Sequence, residues 1–265
     1  MSPQFQGATI HPTAIIHPEA QIAEGVEIGP WCTVGPNVKI GKNSRLMSHV
    51  VVDGWTTIGE SNVFFPFAVV GAVPQDLKYK GERTFLEIGN HNTIRESVTL
   101  NLGTVQGGGL TRLGDHNLLM AYVHVGHDSI IGNHCILANS VAIAGHVKVQ
   151  DWANIGGFVG VTQYVKVGAH CFVGAHTAVD KDLPPFSVVV ASRTIAVKGA
   201  NIIGMRRRGF SAEVITKIND SIKLWARPDT PKDQCMTEIE LQYGEIPEIR
   251  TLLDFVKTSD VGVLR

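Results

Sequence analysis

The chain has 265 residues, of which 44% are hydrophobic and 18% are charged, and its formal net charge at pH 7 is −1. This length allows one elongated domain or one large and one small domain, with enough apolar residues for a core. The near-neutral charge argues against a nucleic-acid partner bound through overall charge, although a local basic cluster can still meet an acidic partner. No stretch approaches the ~18 apolar residues of a transmembrane segment, and the start lacks the features of a signal peptide. We therefore expect a soluble, cytoplasmic protein.

A period of six residues dominates the first two thirds of the chain. Aliphatic or aromatic residues recur from Ile10 to Val70 without exception, resume from Ile88 to Leu100, and continue from Leu113 to Val179, which gives 26 units. This period fits neither the 3.6 of a helix nor the 2 of a simple strand, so it requires a coil with several equivalent faces. We predict three units per 18-residue triangular coil, with aliphatic side chains inside and coils stacked as parallel strands ~4.8 Å apart.

The four cysteines form no C-x-x-C pair, so neither a zinc ribbon nor a disulfide framework is indicated. Cys32, Cys135 and Cys171 each occupy the fifth place of a six-residue unit, while Cys235 follows the repeats. The fifth place suits a small buried side chain, and we expect all four thiols to be reduced.

Two interruptions of the repeat, at about 71–87 and about 101–112, predict surface loops, which in such coils often lie on the binding face. The second interruption contains the glycine-rich stretch Gly103–Gly109. Because no Lys-Ser or Lys-Thr pair of a P-loop follows it, the sequence favours a flexible lid over a phosphate cradle.

Beyond Pro184-Pro185 the period ends, and the composition predicts a small helical domain over 196–265, after a parallel β-helix over 1–195. Ser211 is a candidate N-cap for a helix with one apolar face. A second helix is predicted to begin at Thr230-Pro231 and end at Gly244, and a third to run from Pro247 to Lys257.

Most of the 11 histidines follow the repeat rather than a catalytic pattern. Seven share the fourth place of their units, namely His49, His91, His116, His134, His146, His170 and His176. His11 and His17 share the second place, which leaves only His124 and His127 outside both positions. The neighbouring Asp128 can orient or charge-balance an imidazole.

Stacking by 18 residues brings further polar positions to His127. Gly145 and Gln163 follow it on successive coils, and His146 lies one coil beyond Asp128. A buried aliphatic coil does not require such a cluster, so this convergence favours a catalytic site over surface turn histidines.

Six segments carry a resemblance to a known family, and they span nearly the whole chain: Gln75–Tyr79, Arg95–Thr99, Gly103–Gly109, Asp115–Met120, Leu137–Asn139 and Arg207–Phe210. They resemble the UDP-N-acetylglucosamine O-acyltransferases of lipid A synthesis. The resemblance implies a left-handed coil and a homotrimer with sites between neighbouring subunits. It also implies transfer of an (R)-3-hydroxyacyl group to the sugar 3-hydroxyl, with no bound cofactor. The acyl donor is then carried on the phosphopantetheine of acyl carrier protein.

The resemblance also implies roles for individual residues. His127 matches the general base, Asp128 its support, and the backbone N–H of Gly145 the oxyanion donor. Substrate contacts match Asp76, Lys78, His124, His146 and Gln163, and nucleotide-side positions match Asn201, Arg207 and Arg208. The basic run at 206–208 can also meet phosphate or acidic carrier protein, or can be a solvated charged turn.

A candidate acyl pocket runs along one edge of the coil. The 18-residue repeat aligns Asn139, Gly157 and Ala175, and position 175 matches one that limits the acyl pocket in the resembling family. Phe172 is expected to narrow the same end. An Ala175 methyl group occupies volume that glycine would leave free, so we expect a somewhat shorter acyl chain than a glycine-ended pocket accepts.

Three departures from the family pattern keep alternatives open. Asn101 and Thr162 stand where histidine is usual, and Ile203 replaces a glutamate near the nucleotide. An altered nucleotide sugar, such as the 3-amino analogue, or a non-catalytic trimeric scaffold therefore stays possible. The related N-acyltransferase normally has an additional N-terminal domain, whereas repeats begin here at Ile10.

A metal site is the other alternative, because γ-class carbonic anhydrases with this repeat hold zinc through histidines. The His124-Val-Gly-His127 spacing differs from their usual H-x-x-x-x-H segment. Zinc also requires three well-placed ligands, which spacing alone does not establish. We therefore expect no metal.

Overall fold

The period of six forms a stack of short parallel strands in the computed structural model, which describes residues 5–191 and 194–265. All 26 predicted aliphatic or aromatic positions lie in separate strands, most of them two residues long. The strands, in chain order, are β1 (Thr9–Ile10), β2 (Ile15–Ile16), β3 (Gln21–Ile22), β4 (Glu27–Ile28), β5 (Thr33–Val34), β6 (Lys39–Ile40), β7 (Arg45–Leu46), β8 (Val51–Val52), β9 (Trp55–Ile58), β10 (Val63–Phe64), β11 (Val69–Ala72), β12 (Phe85–Ile88), β13 (Thr93–Ile94), β14 (Thr99–Asn101), β15 (Leu110–Leu113), β16 (Leu118–Leu119), β17 (His124–Val125), β18 (Ile130–Ile131), β19 (Ile136–Leu137), β20 (Ala142–Ile143), β21 (Lys148–Val149), β22 (Asn154–Ile155), β23 (Gly160–Val161), β24 (Lys166–Val167), β25 (Phe172–Val173), β26 (Ala178–Val179), β27 (Ser187–Ala191) and β28 (Ile195–Ala200).

Every third strand joins the same sheet, so the coil has three faces. The first sheet contains β1 and every third strand to β25, followed by β27 and β28. The second runs from β2 to β26, and the third from β3 to β24. Partners away from the loops are 18 residues apart, as in the pairing of Ile143 with Val161. The predicted mainly β fold of stacked parallel coils is confirmed.

The turns between sheets form three edges. The Asn139 edge leads from the first sheet to the second, the His127 edge from the second to the third, and the His116 edge from the third back to the first. All seven fourth-place histidines have φ between 56° and 63°. Histidine is among the residues that tolerate this left-handed conformation, so the repeated histidine position has a backbone explanation.

Aliphatic side chains fill the interior of the coil. Leu137 and Ile143 are fully buried, and each such side chain contributes roughly 1.5–3 kcal/mol relative to exposure. All four cysteines are buried and unpaired, as predicted. Burial raises the pKa of the Cys135 and Cys171 thiols to about 12, which keeps them protonated and unreactive.

Both inserted loops are shorter than the sequence predicted. The first covers 73–84 and the second 102–109, because β12 and β15 begin earlier than expected. Phe85 pairs with both Trp55 and Leu110, which extends three neighbouring strands to four residues each. The second loop contains a short 3-10 helix, Val105–Gly107.

The C-terminal part contains four helices: α1 (Ile202–Arg207), α2 (Ala212–Trp225), α3 (Lys232–Tyr243) and α4 (Pro247–Lys257). Ser211 caps α2 as predicted, with its side chain accepting from the Val214 N–H. The sequence did not predict α1. It placed the domain boundary after residue 195, whereas antiparallel pairing of β28 with β27 continues the first sheet to Ala200.

The chain end ties the helices to the coil. Val263 bridges to Asp182, and the buried Trp225 donates its indole N–H to the Leu264 carbonyl at 2.7 Å. In the part of the chain that the structure describes, no helix is long and apolar enough to cross a membrane.

Candidate active site

The His127 edge carries a buried histidine–carboxylate pair. Nδ1 of His127 lies 2.8 Å from Oδ2 of Asp128, and the Asp128 side chain is completely buried. Because an ionised carboxylate only accepts hydrogen bonds, Nδ1 carries the proton and Nε2 is left as the basic atom. The pair therefore holds one imidazole nitrogen available to accept a proton.

Gly145 lies directly against this imidazole, one coil along the edge. A Cβ atom added to Gly145 would lie 2.6 Å from Cε1 and 2.7 Å from Nε2 of His127. The backbone N–H of His146 donates to the His127 carbonyl at 2.9 Å, which fixes the two turns together. Glycine at 145 is therefore required for close approach of the two turns rather than for an unusual φ.

Two further histidines border the pair. His124 Nδ1 lies 2.8 Å from the Thr99 hydroxyl, and the His146 ring packs edge-on to that of His127, with ring centroids 5.0 Å apart. Burial lowers the pKa of His124, and the neighbouring His127 lowers it further. Burial also lowers the pKa of His146, although Asp128 partly opposes this effect. Both rings are therefore neutral at neutral pH.

A cleft of about 450 Å³ opens beside the pair. It brings together five predicted site residues, two from the first inserted loop and three from successive coils: Asp76, Lys78, His127, His146 and Gln163. The Asp76 carboxylate accepts from the Lys78 N–H at 2.9 Å, which holds the loop turn that carries both charges. The cleft also includes five residues to which the sequence assigned no role in the site: Gln75, Leu77, Thr104, Gln106 and Tyr164.

Thr104 contacts the pair from the second loop. Its backbone N–H donates to Asp128 Oδ1 at 2.8 Å, and its hydroxyl donates to Oδ2 at 2.6 Å. No sequence signal connects these residues, because their separation of 24 is not a multiple of the 18-residue coil.

The predicted nucleotide-side residues lie on the other side of the same chain, at the His116 edge. Asn201 caps α1 and donates to the His170 carbonyl at 2.9 Å. Arg208 donates to the Trp152 carbonyl at 3.0 Å and lies 3.1 Å from Nδ1 of His170. Burial, followed by the Arg208 charge, lowers the pKa of His170 to about 4, so its neutral Nδ1 accepts from Arg208. Arg207 ends the short helix α1.

The candidate acyl-pocket residues lie on the third edge, the Asn139 edge, in the predicted stacking order. The Asn139 carbonyl accepts from the Phe158 N–H, and the Gly157 carbonyl accepts from the His176 N–H, beside Ala175. Phe172 lies on the neighbouring face and is partly exposed.

The three departures from the family pattern occupy different environments. Asn101 is buried and donates to the Val73 carbonyl at 3.3 Å, at the base of the first loop. The Thr162 hydroxyl donates to the Val179 carbonyl, and Ile203 is 64% exposed on α1. Of these three residues, only Asn101 lies beside an inserted loop that lines the cleft.

One group of potential metal ligands occurs in residues 5–191 and 194–265: His127, Asp128 and His146, with one ligand atom of each within 4.8 Å of the others. Two of these potential ligands are already hydrogen-bonded to each other, since Nδ1 of His127 donates to the Asp128 carboxylate. Because Asp128 is engaged by His127 and Thr104, two histidine nitrogens remain at this group, fewer than the three protein ligands that zinc usually takes.

Comparison with known proteins gives matches over both parts of the chain. A bacterial transferase hexapeptide model matches 7–42 and 111–145, and a model described as UDP N-acetylglucosamine O-acyltransferase, domain 2, matches 182–264. The acyl-[acyl-carrier-protein]–UDP-N-acetylglucosamine O-acyltransferase of Saccharophagus degradans is 48% identical, covering 97% of this chain and 99% of its own length.

Solved structures agree with these matches. A UDP-N-acetylglucosamine acyltransferase from Bacteroides fragilis superimposes with a TM-score of 0.94 at 42% identity, covering 97% of this chain and all of its own. The enzyme from Francisella novicida gives 0.94 at 38% identity, with 97% and 94% covered. Because the chain is 48% identical to such an enzyme over nearly its full length and has the same fold as the solved structures, it belongs to the UDP-N-acetylglucosamine O-acyltransferase family.

Proposed function

We propose that this protein transfers an (R)-3-hydroxyacyl group from acyl carrier protein to the 3-hydroxyl of UDP-N-acetylglucosamine, the first step of lipid A synthesis. The observation that carries the proposal is the His127–Asp128 pair, whose Nδ1 to Oδ2 distance of 2.8 Å leaves Nε2 unprotonated at a cleft. A sugar hydroxyl is a weak nucleophile at neutral pH, so a base that removes its proton during attack increases the rate.

The reaction proceeds by direct transfer. Nε2 of His127 takes the proton from the sugar 3-hydroxyl while that oxygen attacks the thioester carbonyl carbon. A tetrahedral intermediate forms, and its collapse breaks the carbon–sulfur bond. The protonated imidazole then returns its proton to the departing thiolate of the carrier's phosphopantetheine. Asp128 stabilises the imidazolium between these steps, as a carboxylate does in other histidine-dependent acyl transfers.

Gly145 supplies the second part of the mechanism. A Cβ atom added to Gly145 would lie 2.7 Å from Nε2 of His127, so the Gly145 backbone lies beside the proposed reacting centre. The N–H has no hydrogen-bond partner among the described residues and is free to donate to the negative oxygen of the intermediate. Such preorganised donors contribute more in a water-poor cleft than in solution.

The proposal includes a homotrimer with shared sites. Asn201 and Arg208 lie at the His116 edge, whereas His127 lies at a different edge of the same coil. A substrate that contacts both sets therefore requires the His116 edge of a second chain beside the His127 edge of the first. Because Arg208 is engaged by His170 and Trp152, the exposed Arg206 and Arg207 are the cations of the basic run that can meet phosphate or acidic carrier protein.

The decisive experiment uses the purified protein with UDP-N-acetylglucosamine and a series of 3-hydroxyacyl carrier proteins. We expect acylated nucleotide sugar, detected by mass spectrometry, to form in proportion to enzyme. Free acyl carrier protein should appear in equal amount. Hydrolysis of the thioester without sugar acylation would reject the proposed reaction, and lack of any turnover would favour the non-catalytic scaffold.

The buried Asn101 favours one second candidate, an altered nucleotide sugar. Its amide replaces a histidine at the base of a loop that carries two cleft charges, so the loop position can differ from that in relatives. Competition between UDP-N-acetylglucosamine and its 3-amino analogue tests this candidate. If restoring histidine at 101 and 162 and glutamate at 203 changes neither preference nor affinity, the departures are silent.

A further inference from the structure

The glycine-rich second loop, 102–109, reaches the catalytic pair and ends at the Asp128 carboxylate. Thr104 is 1% exposed, and it contacts both oxygens of a carboxylate whose side chain is completely buried. The carboxylate therefore accepts three hydrogen bonds, two from Thr104 and one from His127. Both oxygens of the buried carboxylate are therefore hydrogen-bonded, as buried polar groups generally are.

The direction of the Thr104 hydroxyl bond is fixed by a second contact. The Gly107 N–H points to the Thr104 hydroxyl oxygen at 3.2 Å and shares its proton with the Thr104 carbonyl at 3.0 Å. The hydroxyl oxygen thus accepts from the loop backbone, and its single proton is directed to Asp128 Oδ2. As a carboxylate, Asp128 only accepts hydrogen bonds, so Oδ2 accepts from both Thr104 and His127, which places the imidazole proton on Nδ1.

Three features show that the loop is built for this contact. A Cβ atom added to Gly107 would lie 2.1 Å from Cγ of Asp128, and one added to Gly103 would lie 2.9 Å from Oδ1. Gly108 and Gly109 have φ of +96° and +80°, a left-handed conformation that glycine adopts readily. Gly107 instead allows the loop backbone to approach the Asp128 carboxylate closely.

The base of the loop is anchored as well. The Phe85 N–H donates to the Gly109 carbonyl at 2.8 Å, and the Gly103 N–H donates to the Phe85 carbonyl at 3.1 Å. These bonds hold both ends of the loop on one residue of β12. The anchored ends and the buried contact differ from the flexible lid that the glycine content suggested.

We propose that Thr104 is a positioning residue for the reaction, which keeps Asp128 an acceptor and thereby selects the His127 tautomer with a free Nε2. Its effect on turnover rests on the proposed function, whereas its effect on the tautomer does not. Thr104 acts through Asp128, and its side chain need not contact the transferred group.

The first test compares Thr104→Val with Thr104→Ser. Valine keeps the shape of the side chain but removes the hydroxyl donor. Because the lost hydrogen bond is to a charged group, we expect kcat to decrease about 10-fold, with little change in KM. Serine keeps the donor and should restore most of the turnover. A Thr104→Val enzyme with unchanged kcat, or a Thr104→Ser enzyme as slow as Thr104→Val, overturns the proposal.

Thr84→Val is a matched control, because it makes the same threonine-to-valine substitution at another buried position. Thr84 is also fully buried, and its hydroxyl has no hydrogen-bond partner among the described residues. We expect this variant to retain kcat and to be at least as stable as the parent. Equal losses of kcat in Thr84→Val and Thr104→Val would indicate a general packing effect and reject the positioning role.

The second test reads the tautomer directly, by ¹⁵N NMR of the histidine rings with His127 assigned by its absence in His127→Ala. The parent and Thr104→Ser should show the Nδ1–H form, and Thr104→Val should show a larger fraction of the Nε2–H form. If Thr104→Val does not fold, Gly107→Ala displaces the same contact and should give the same change.

An unchanged tautomer in a folded variant overturns the positioning role, whatever the turnover. A Thr104-dependent tautomer in a protein without acyl transfer would support the positioning role while rejecting the proposed function. The two conclusions can therefore fail separately.

Discussion

The His127 edge and the His116 edge use the same turn for different purposes. At the His116 edge, His91, His116 and His134 stack with parallel rings, their centroids 4.8 and 4.9 Å apart, and the stack continues to Trp152 at 4.0 Å. At the His127 edge, the equivalent fourth place holds Asp128, with φ of 60°. One edge therefore stacks aromatic rings, and the other pairs an imidazole with a carboxylate.

The difference between the two edges shows that the place of a residue in the six-residue unit does not determine its chemical role. His146 shares the fourth place with the stacked histidines, yet it lines the cleft because Asp128 lies one coil before it and Tyr164 one coil after it. A histidine becomes part of a site here when a neighbouring coil or loop supplies an acceptor. Each prediction below tests a feature of only one edge.

The largest effect is expected for His127→Ala. Removing the general base should lower turnover by roughly 100-fold or more while leaving a folded protein. The control His17→Ala removes an exposed histidine whose Nδ1 accepts only a local backbone N–H, and it should retain parental turnover. The measurement is the initial rate of each variant, after its circular dichroism spectrum has been shown to match that of the parent. A His127→Ala enzyme with near-normal rates would reject His127 as the base.

The sequence predicted the coil and the convergence of the His127 edge because both follow from a period of six. Once 18 residues make a coil, the stacking of Gly145 and Gln163 on His127 is geometry. The contact of Thr104 with Asp128 depends instead on where an irregular loop folds back, and periodicity contains no such information. Helix α1 was missed because six residues are too few to show a helical period.

A smaller effect is expected at the Asn139 edge, where Ala175 is the candidate limit of the acyl pocket. Each buried methylene contributes about 0.8 kcal/mol, so a change in pocket length alters donor preference several-fold. Ala175→Gly should favour longer acyl chains and Ala175→Met shorter ones. Initial rates over a series of hydroxyacyl carrier proteins measure the direction. Identical length profiles for the three proteins would place the limit elsewhere.

For His170 at the His116 edge, the expected effect is on the pH dependence of stability. The pKa of His170 is lowered to about 4 by burial and by Arg208, against about 6.5 in the unfolded chain. Between these values the unfolded state binds more protons, so the free energy of unfolding should fall as the pH decreases from about 6.5 to about 4.

His170→Asn should reduce this dependence on pH, because asparagine tolerates the left-handed turn and does not titrate. Thermal unfolding at several pH values measures the slope, with His116→Asn as the control at an equivalent turn without the arginine contact. Equal slopes for the parent and His170→Asn would contradict the assignment. Because His170 is partly exposed, solvent screening makes the slope more informative than any absolute energy.

The smallest effect is expected from removing metal ions. His127, Asp128 and His146 have ligand atoms close together, but Oδ2 of Asp128 already accepts hydrogen bonds from Thr104 and His127, at 2.6 and 2.8 Å. With Oδ2 occupied by these hydrogen bonds, one nitrogen each of His127 and His146 remains, which is fewer than the three protein ligands that zinc usually takes. We therefore expect exhaustive chelation, with a zinc-dependent enzyme treated in parallel, to leave turnover unchanged. Activity lost on chelation and restored specifically by zinc would replace the acid–base pair with a metal centre, and the comparison of the two edges would then need a different explanation.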